Sequence, residues 1–227
     1  HEYTLDEWEA LSEDDKPFTE VTPLNPHSPY STSKTAQYMY GKTYYEAYGV
    51  PVVSLACGNA IGPNQFPEKL VPLTIDRLIN KEKIPVYGKG EQMRDWTHVS
   101  DICKAIDLVF HKGKYGELYC IGGDACTKNI DVINKIILEV SMWETEEKYV
   151  PKNADTDMAY ASAIDGVITE NTNLIEYIPD PRGKSHDFRY DLDHTKITNE
   201  LGWKPEYTLE RSIKETVEWY LNNKEWT

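Results

Sequence analysis

A helix-like segment that leads directly into a short apolar run is the feature that most constrains the fold of this chain. Residues 30–48 contain no proline and one glycine, carry alanines and aromatic residues at helical spacing, and end at Gly49. Residues 50–57 are apolar and largely β-branched, which is typical of a strand buried in a parallel sheet. A helix followed by a buried strand is half of a βαβ repeat, so the sequence predicts an α/β fold.

The rest of the sequence continues this alternation of helices and strands. Residues 1–28 are acidic and then rich in proline, and we interpret them as a loop leading into the first helix. Residues 143–187 are polar and lack a clear period, which indicates a long, irregular functional loop. Helices are further predicted over 68–80, 101–111, 129–140, 193–201 and 209–221, and strands over 84–87, 93–99 and 117–121.

The charge and cysteine content exclude several classes of function. A net charge of −14 argues against binding to a nucleic-acid backbone or to an anionic membrane surface. The four cysteines form no C-x-x-C pair, so we expect a reduced, cytoplasmic protein without a metal site. No leader and no membrane-spanning apolar run is visible.

Tyr30 and Lys34 carry the clearest chemical signal. Their spacing is about one helical turn, so both side chains are expected on one face of the first helix. A phenol with its ordinary pKa of about 10 is a poor base at neutral pH, and a nearby ammonium group favours the phenolate. The pair therefore suits the removal of a proton from a hydroxyl group. An exposed tyrosine and lysine on a surface helix is the alternative interpretation.

The segment that follows the first strand is placed where a ligand would bind. Ligands of open α/β sheets lie beyond the carboxyl ends of the strands. The strand ending at Cys57 continues into the polar, glycine-containing segment 58–70. Within it, Asn59 can donate to a phosphate and accept from a sugar hydroxyl. A plain connecting loop remains the alternative for this segment.

Several short motifs follow one another in a fixed order. They are Tyr30-x-x-x-Lys34, Asn59 with Gly62-Pro63, Phe66-Pro-Glu-Lys-Leu70, Pro85-Val-Tyr-Gly88, Arg94-Asp-Trp96 and His186-Asp-x-Arg-Tyr190. In this order they resemble the extended short-chain dehydrogenase/reductase family, and within it the nucleotide-sugar 4,6-dehydratases of the dTDP-glucose 4,6-dehydratase type. The resemblance extends from Phe18 to the end of the chain, and the Phe-Pro-Glu-Lys-Leu string is its most specific part.

The resemblance implies a lyase that uses NAD to convert a nucleotide-diphosphate hexose, dTDP- or UDP-glucose, to the 4-keto-6-deoxy sugar. It implies that Tyr30 is the catalytic base and that Lys34 binds the nicotinamide ribose, with Cys57 and Asn59 also at the cofactor. Arg94 would bind the diphosphate, although a structural arginine paired with a neighbouring carboxylate is the alternative. The implied substrate-binding residues are Asn59, Glu68, Lys69, Leu70, Pro85, Tyr87, Arg94, Asn129, Arg182 and His186.

The sequence also departs from the family. No glycine-rich pyrophosphate-binding turn follows a strand, and the chain starts at His1, so we expect it to lack the N-terminal part of the family. Ala60 and Ile61 replace polar residues that are expected beside the nicotinamide. The acid pair that drives water elimination has no clear counterpart, and Asp6-Glu7 is a poor candidate for it.

The expected architecture follows from this resemblance. It is the C-terminal part of a Rossmann-type parallel sheet plus a smaller α/β substrate-binding domain. Residues 1–80 would be a partial NAD-binding domain, interleaved with later segments, and residues 81–227 mainly the substrate domain. The alternatives are a nucleotide-sugar epimerase or decarboxylase, and a non-catalytic nucleotide-sugar-binding module. The possible partners are a second copy, for which the aromatic helix over 30–48 could serve, or a complementing N-terminal segment; packing of the helix tyrosines in the core is the alternative. The isolated chain is expected to be inactive.

Overall fold

The structure of the chain, a computed structural model, describes residues 16–149, 157–183 and 187–226. Its helices are α1 (Pro29–Tyr48), α2 (Leu70–Ile79), α3 (Val99–Lys112), α4 (Asn129–Tyr149), α5 (Asp157–Thr172), α6 (Thr195–Leu201) and α7 (Leu209–Asn222). Its strands are β1 (Ser54–Cys57), β2 (Asn59–Ile61), β3 (Ile84–Tyr87), β4 (Met93–His98), β5 (Leu118–Ile121), β6 (Cys126–Lys128), β7 (Ile175–Ile178) and β8 (Arg189–Tyr190). In this part of the chain, no helix is both long and apolar enough to cross a lipid bilayer.

Local signals fix both ends of α1. The Oγ of Ser28 accepts from the amide of Ser31 at 3.0 Å, and the Oγ of Ser31 accepts from the amide of Ser28 at 2.9 Å. Pro29 occupies the first turn, where its missing N–H costs nothing. Gly49 ends the helix in the left-handed region, with φ of 68°. The predicted helix is therefore confirmed at both ends.

The strands in the described residues form three small, mostly parallel sheets. β1 pairs in parallel with β5. β4 is the centre of the second sheet, with β2 and β8 parallel to it and β6 antiparallel. β3 and β7 form a separate parallel pair. Because parallel neighbours need a crossover connection, helices lie between the paired strands in the sequence, as the α/β prediction requires.

Two apolar clusters hold these sheets. The larger packs α2, α4 and α7 against β2, β3 and β4, and its fully buried side chains include Ile75, Ile133 and Ile213. The smaller packs α3 and α6 against β5, around Tyr119 and Trp203. The chain passes from β1, which borders the smaller cluster, to β2 in the larger one through the single residue Gly58.

The segment before α1 is anchored to the C-terminal part of the chain. The amide of Phe18 donates to the carbonyl of Asp191 at 2.8 Å, and the amide of Asp193 donates to the carbonyl of Phe18 at 2.9 Å. The Oε1 of Glu20 accepts from the amide of Cys120 at 2.8 Å, at the end of β5. These bonds place residues 18–20 beside β5 and beside the residues that follow β8.

The prediction of an irregular loop over 143–187 is wrong for most of that range. α4 continues to Tyr149, α5 follows at Asp157–Thr172, and β7 lies at Ile175–Ile178. The hydroxyl of Thr145 bonds to the carbonyl of Ser141 at 2.7 Å inside α4, so these polar residues are satisfied within the helix. The first strand also begins later than predicted, at Ser54, and the short strands β2, β6 and β8 were not predicted.

Candidate active site

Tyr30 and Lys34 lie on one face of α1, as their spacing predicts. The Nζ of Lys34 is 5.6 Å from the centroid of the Tyr30 ring, and 71% of the surface of Tyr30 is exposed. Lys34 also reaches the end of β1 electrostatically. Burial raises the pKa of the Cys57 thiol, and the charge of Lys34 partly opposes this rise. The predicted catalytic residue Lys34 and the predicted cofactor residue Cys57 therefore belong to one region.

Tyr190 connects this region to the second sheet. Burial is the largest cause that raises its pKa to about 12, and Cys57, Cys120, Asp187 and Tyr30 each raise it further, in that order. On β8, Tyr190 pairs with Arg94 of β4. The last residue of the His-Asp-x-Arg-Tyr motif is thus a neighbour of both Tyr30 and Arg94. No role was predicted for Tyr190, although its place in the motif indicated that it lies near the site.

Gly58 is the junction between β1 and β2, and a close backbone contact explains the glycine. A Cβ atom at this position would lie 2.6 Å from the carbonyl oxygen of Asp95. Asn59 follows as the first, half-buried residue of β2, paired with Trp96. Ile61 is fully buried in the larger apolar cluster. The side chain of Ile61 thus packs in the core, and its place beside a nicotinamide stays a prediction.

The segment that links β2 to α2 carries three predicted substrate residues. The Oε1 of Glu68 and the Nζ of Lys69 form an ion pair of 2.8 Å, and more than half of each side chain is exposed. Lys69 precedes α2, and Leu70 is its first residue, so this helix begins two residues later than predicted. The hydroxyl of Tyr220 donates to the carbonyl of Gln65 at 2.6 Å and ties the segment to α7.

Tyr87 and Arg182 meet although 95 positions separate them in the sequence. The Cζ of Arg182 lies 5.0 Å from the centroid of the Tyr87 ring, a cation–π distance. The amide and the Nε of Arg182 donate to the Oδ1 of Asp180 at 2.9 and 3.2 Å. Pro85 lies two residues before Tyr87 on β3 and pairs with Glu176 of β7. The structure thus brings three predicted nucleotide-pocket residues together.

Arg94 is buried, and three backbone carbonyls hold its guanidinium. Its Nη1 donates to the carbonyls of Met93 at 2.6 Å and Phe188 at 3.1 Å, and its Nη2 donates to the carbonyl of Asp187 at 2.6 Å. Burial lowers the pKa of Arg94, the charge of Asp187 raises it, and the nearby Arg182 lowers it again. Arg94 therefore braces the chain before β8 and lies beside Arg182. Three of its contacts are carbonyls, and the charge of Asp187 also acts on it.

Asp95, which follows Arg94 on β4, is a buried carboxylate. Asp95 is fully buried, and its Oδ1 and Oδ2 accept from the amide of Gly123 at 2.9 and 3.0 Å, while Oδ1 accepts from Ala125 at 3.3 Å. Burial is the largest cause that raises its pKa to about 6. A Cβ atom at Gly123 would lie 2.2 Å from the carbonyl of Trp96, so the turn fits tightly against β4.

The remaining predicted residues fall into two groups. Asn129 is the first residue of α4, and its amide donates to the carbonyl of Gln92 at 3.0 Å, near the turn that follows Tyr87. His186 and the acid pair Asp6-Glu7 lie outside the described residues. Among the residues that are described, no group of three or more metal-ligating side chains could hold a metal ion.

Comparison with known proteins places this geometry in context. The family model described as GDP-mannose 4,6 dehydratase matches residues 12–216. A dTDP-glucose 4,6-dehydratase of Xanthomonas campestris pv. campestris is 40% identical over 226 residues, which are 100% of this chain and 58% of that protein. The chain therefore spans little more than half the length of the curated relatives that it matches.

Two solved structures of dehydratases match the fold of this chain. The dTDP-glucose 4,6-dehydratase from Bacillus anthracis in complex with NAD matches with a TM-score of 0.75 and 39% identity, over 94% of this chain and 58% of that one. The dTDP-glucose 4,6-dehydratase DesIV from Streptomyces venezuelae, with NAD and TYD bound, matches with a TM-score of 0.77 and 32% identity, over 94% and 57%.

Proposed function

Because the chain belongs to the family described as GDP-mannose 4,6 dehydratase, we propose that it serves in the NAD-dependent dehydration of a nucleotide-diphosphate hexose. The substrate would be dTDP- or UDP-glucose and the product its 4-keto-6-deoxy sugar. The chain would supply the catalytic pair and the nucleotide-sugar pocket of a longer dehydratase.

The family match settles the broader predictions. The resemblance to the nucleotide-sugar dehydratases of the short-chain dehydrogenase/reductase family is confirmed. The α/β class with a Rossmann-type parallel sheet is confirmed by the match to the two dehydratase structures. We further propose the division into a partial NAD-binding part over 1–80 and a mainly substrate-binding part over 81–227. The pairing of β1 with β5 supports interleaving of the two parts.

The convergence of Tyr30, Tyr190 and Arg94 is the observation that carries the proposal. Tyr190 lies within electrostatic reach of Tyr30 and pairs with Arg94, so α1 and β4 border one region. Tyr30 would take the proton from the 4-hydroxyl of the sugar, and Lys34 would stabilise the phenolate that Tyr30 uses. NAD, when bound, supplies the hydride acceptor. Lys34, Cys57 and Asn59 would hold it at the carboxyl end of β1, where the ligands of open α/β sheets bind.

The nucleotide would occupy the other end of the site. The ring of Tyr87 and the side chain of Pro85 would border a planar base, and Arg182, 5.0 Å from the centroid of the Tyr87 ring, places a cation beside it. Lys69 adds a cation at the start of α2. A chain with a net charge of −14 needs such local positive charge to bind a diphosphate. Glu68, Leu70, Asn129 and His186 would complete the pocket.

Calorimetry tests the binding half of the proposal. The 227-residue chain is titrated with dTDP-glucose and with UDP-glucose, with and without NAD. We expect one of the two nucleotide sugars to bind, and Arg182→Ala to weaken that binding by about tenfold or more, the value of one charge-assisted hydrogen bond. Binding of neither sugar nucleotide would refute the pocket. Binding that NAD does not affect would favour the non-catalytic module.

Turnover tests the catalytic half. The isolated chain is expected to form no 4-keto-6-deoxy sugar. In a longer protein that also carries a cofactor-binding part, Tyr30→Phe should lower the rate about 10²–10⁴-fold, because the proton-accepting group is lost. Tyr40→Phe is the matched control, since Tyr40 is an exposed tyrosine on the same helix. Formation of a 4-epimer without the 4-keto product would indicate an epimerase instead.

A homodimer through α1 and a cytoplasmic location remain predictions.

A further inference from the structure

The pair of strands that carries Tyr87 is small, and the burial of Ile84 and Val86 in the larger cluster is one constraint on its register. β3 and β7 are four residues each and pair only with each other among the described strands. A two-stranded sheet is marginal in water, and a shift of one residue moves each side chain by about 3.3 Å and turns it to the opposite face. The distance between Arg182, which follows β7, and Tyr87 of β3 therefore depends on what fixes the register of the two strands.

A buried polar network lies at the starting end of this strand pair. Lys81 follows α2 in the left-handed region, with φ of 54°. Its Nζ donates to Oε1 and Oε2 of Glu144 at 2.7 and 2.8 Å, and to the Oδ1 of Asn171 at 2.9 Å. The Nδ2 of Asn171 donates in turn to the Oγ of Ser141 at 2.9 Å. Glu144, Asn171 and Ser141 are buried, so this network has little freedom.

The network connects directly to the first pair of the strand ladder. The carbonyl of Asn171 accepts from the amide of Leu174 at 3.1 Å, and the carbonyl of Leu174 accepts from the amide of Ile84 at 2.9 Å. The Nζ of Lys83 reaches the carbonyl of Asn173 at 2.9 Å. At the far end, the amide of Gly88 donates to the carbonyl of Ile178 at 2.8 Å. These bonds link the network at Lys81 to the first pair of the ladder, and Asp180 and Arg182 follow its last pair.

We propose that Lys81 is a positioning residue of the nucleotide pocket: through Glu144 and Asn171 it fixes β7 on β3 and so holds Arg182 over Tyr87. This inference rests on the proposed function, because it assumes that the nucleotide binds beside Tyr87 and Arg182. Lys81 itself touches no ligand in this arrangement. It acts through the register of the two strands.

Calorimetry with dTDP tests the inference on the 227-residue chain. We expect Lys81→Met to weaken dTDP binding about tenfold, and Lys81→Arg to retain more of the affinity because it keeps donors for Glu144. Lys135→Met is the matched control, since Lys135 of α4 forms an exposed ion pair with Glu210 of α7. This variant should bind dTDP like the wild type.

A double-mutant cycle separates positioning from general destabilisation. If Lys81 acts through Arg182, then Lys81→Met has no further effect on dTDP affinity once Arg182 is alanine. Because Lys81→Met leaves a buried carboxylate without its cation, Lys81→Met/Glu144→Leu serves as a second variant in which the thermal midpoint recovers but the affinity does not.

Three results would overturn the inference. They are dTDP affinity of Lys81→Met within twofold of the wild type, equal effects of Lys81→Met with and without Arg182, and recovery of affinity together with stability in Lys81→Met/Glu144→Leu. Failure of the wild-type chain to bind dTDP would instead overturn the nucleotide pocket itself, and this inference with it. The two failures are therefore distinguishable.

Discussion

The buried carboxylate of Asp95 should give the chain an unusual pH dependence of stability. Its pKa in the folded chain is raised to about 6, chiefly by burial, from an ordinary value of 3.8. Because the folded pKa lies above the unfolded one, protonation favours the folded state. The resulting stabilisation is fully present below pH 3.8 and is lost as the pH rises through about 6. Asp95 therefore makes the chain more stable at pH 5 than at pH 7.

The size of this effect follows from linkage. At pH 5, one unit below the folded pKa, the protonation of Asp95 contributes about 1.4 kcal/mol relative to pH 7. His98 acts against it in the same range: burial lowers the pKa of His98, so stability is lost when the unfolded chain takes up a proton near pH 6.5. Asp193, Glu200, Glu206 and Glu210 have lowered pKa values and lose stability only at lower pH.

A comparison with Asp95→Asn isolates the contribution of one carboxyl. Urea unfolding of the wild type and the variant is measured at pH 7, 6 and 5, and the difference in unfolding free energy is taken at each pH. We expect this difference to grow by about 1.4 kcal/mol in favour of the wild type from pH 7 to pH 5. The effects of His98 cancel, because both proteins contain it. Asp165→Asn, at an exposed site on α5, is the control and should show no such change.

A difference that stays constant between pH 7 and pH 5 would refute the reasoning. It would mean that the amides of Gly123 and Ala125 stabilise the ionised carboxylate enough to cancel the cost of its burial. A difference that shrinks as the pH falls would show a lowered pKa, with the hydrogen bonds outweighing burial.

Two further predictions concern packing. Gly58→Ala should lower the unfolding free energy by about 1–3 kcal/mol, because its Cβ would lie 2.6 Å from the carbonyl oxygen of Asp95. A Cβ at Gly166 would meet no atom within 4 Å, so Gly166→Ala should leave the unfolding free energy unchanged or raise it. Ile213→Ala should cost about 2–5 kcal/mol, because Ile213 is 1% exposed in the larger cluster, and Ile106→Ala, at a 48% exposed site, should cost less than about 0.5 kcal/mol. Urea unfolding at pH 7 measures both pairs, and equal losses within either pair would contradict the packing argument.

The sequence predicts those parts of the fold whose cause is local. α1 is predicted correctly because Ser28, Pro29 and Gly49 act within a turn of its ends. α5 is not predicted, because its end is held by bonds from Asn171 to Lys81 and Ser141, which are distant in the sequence. The short strands β2 and β8 likewise depend on β4, and residues 59–61 alone do not show that Ile61 faces the core.

The site residues likewise divide into those placed by local sequence and those placed by distant contacts. Tyr30 and Lys34 are one turn apart, so their common face is visible in the sequence. The contact of Arg182 with Tyr87 depends on the register of β3 and β7, and no local pattern indicates it. Arg94 was expected to bind phosphate or a carboxylate, and neither expectation anticipated three carbonyl partners. Only the motif order grouped these distant residues into one predicted site.

The two ends of the proposed site belong to different apolar clusters, and this has a consequence for the ligand. Tyr30 is carried by α1 beside β1, which borders the smaller cluster, while β3 packs its buried side chains in the larger one and carries Tyr87. Within the described residues, the backbone first passes between these clusters at Gly58, and it does so again from β4 to α3, from β5 to α4 and from α6 to α7. A nucleotide sugar bound at both Tyr87 and Tyr30 would therefore bridge the clusters. Because a ligand stabilises the folded state by an amount set by its concentration relative to its Kd, the added contacts should make dTDP-glucose raise the thermal midpoint more than dTDP does at equal free concentration. Equal midpoints for the two ligands would show that the sugar does not reach α1.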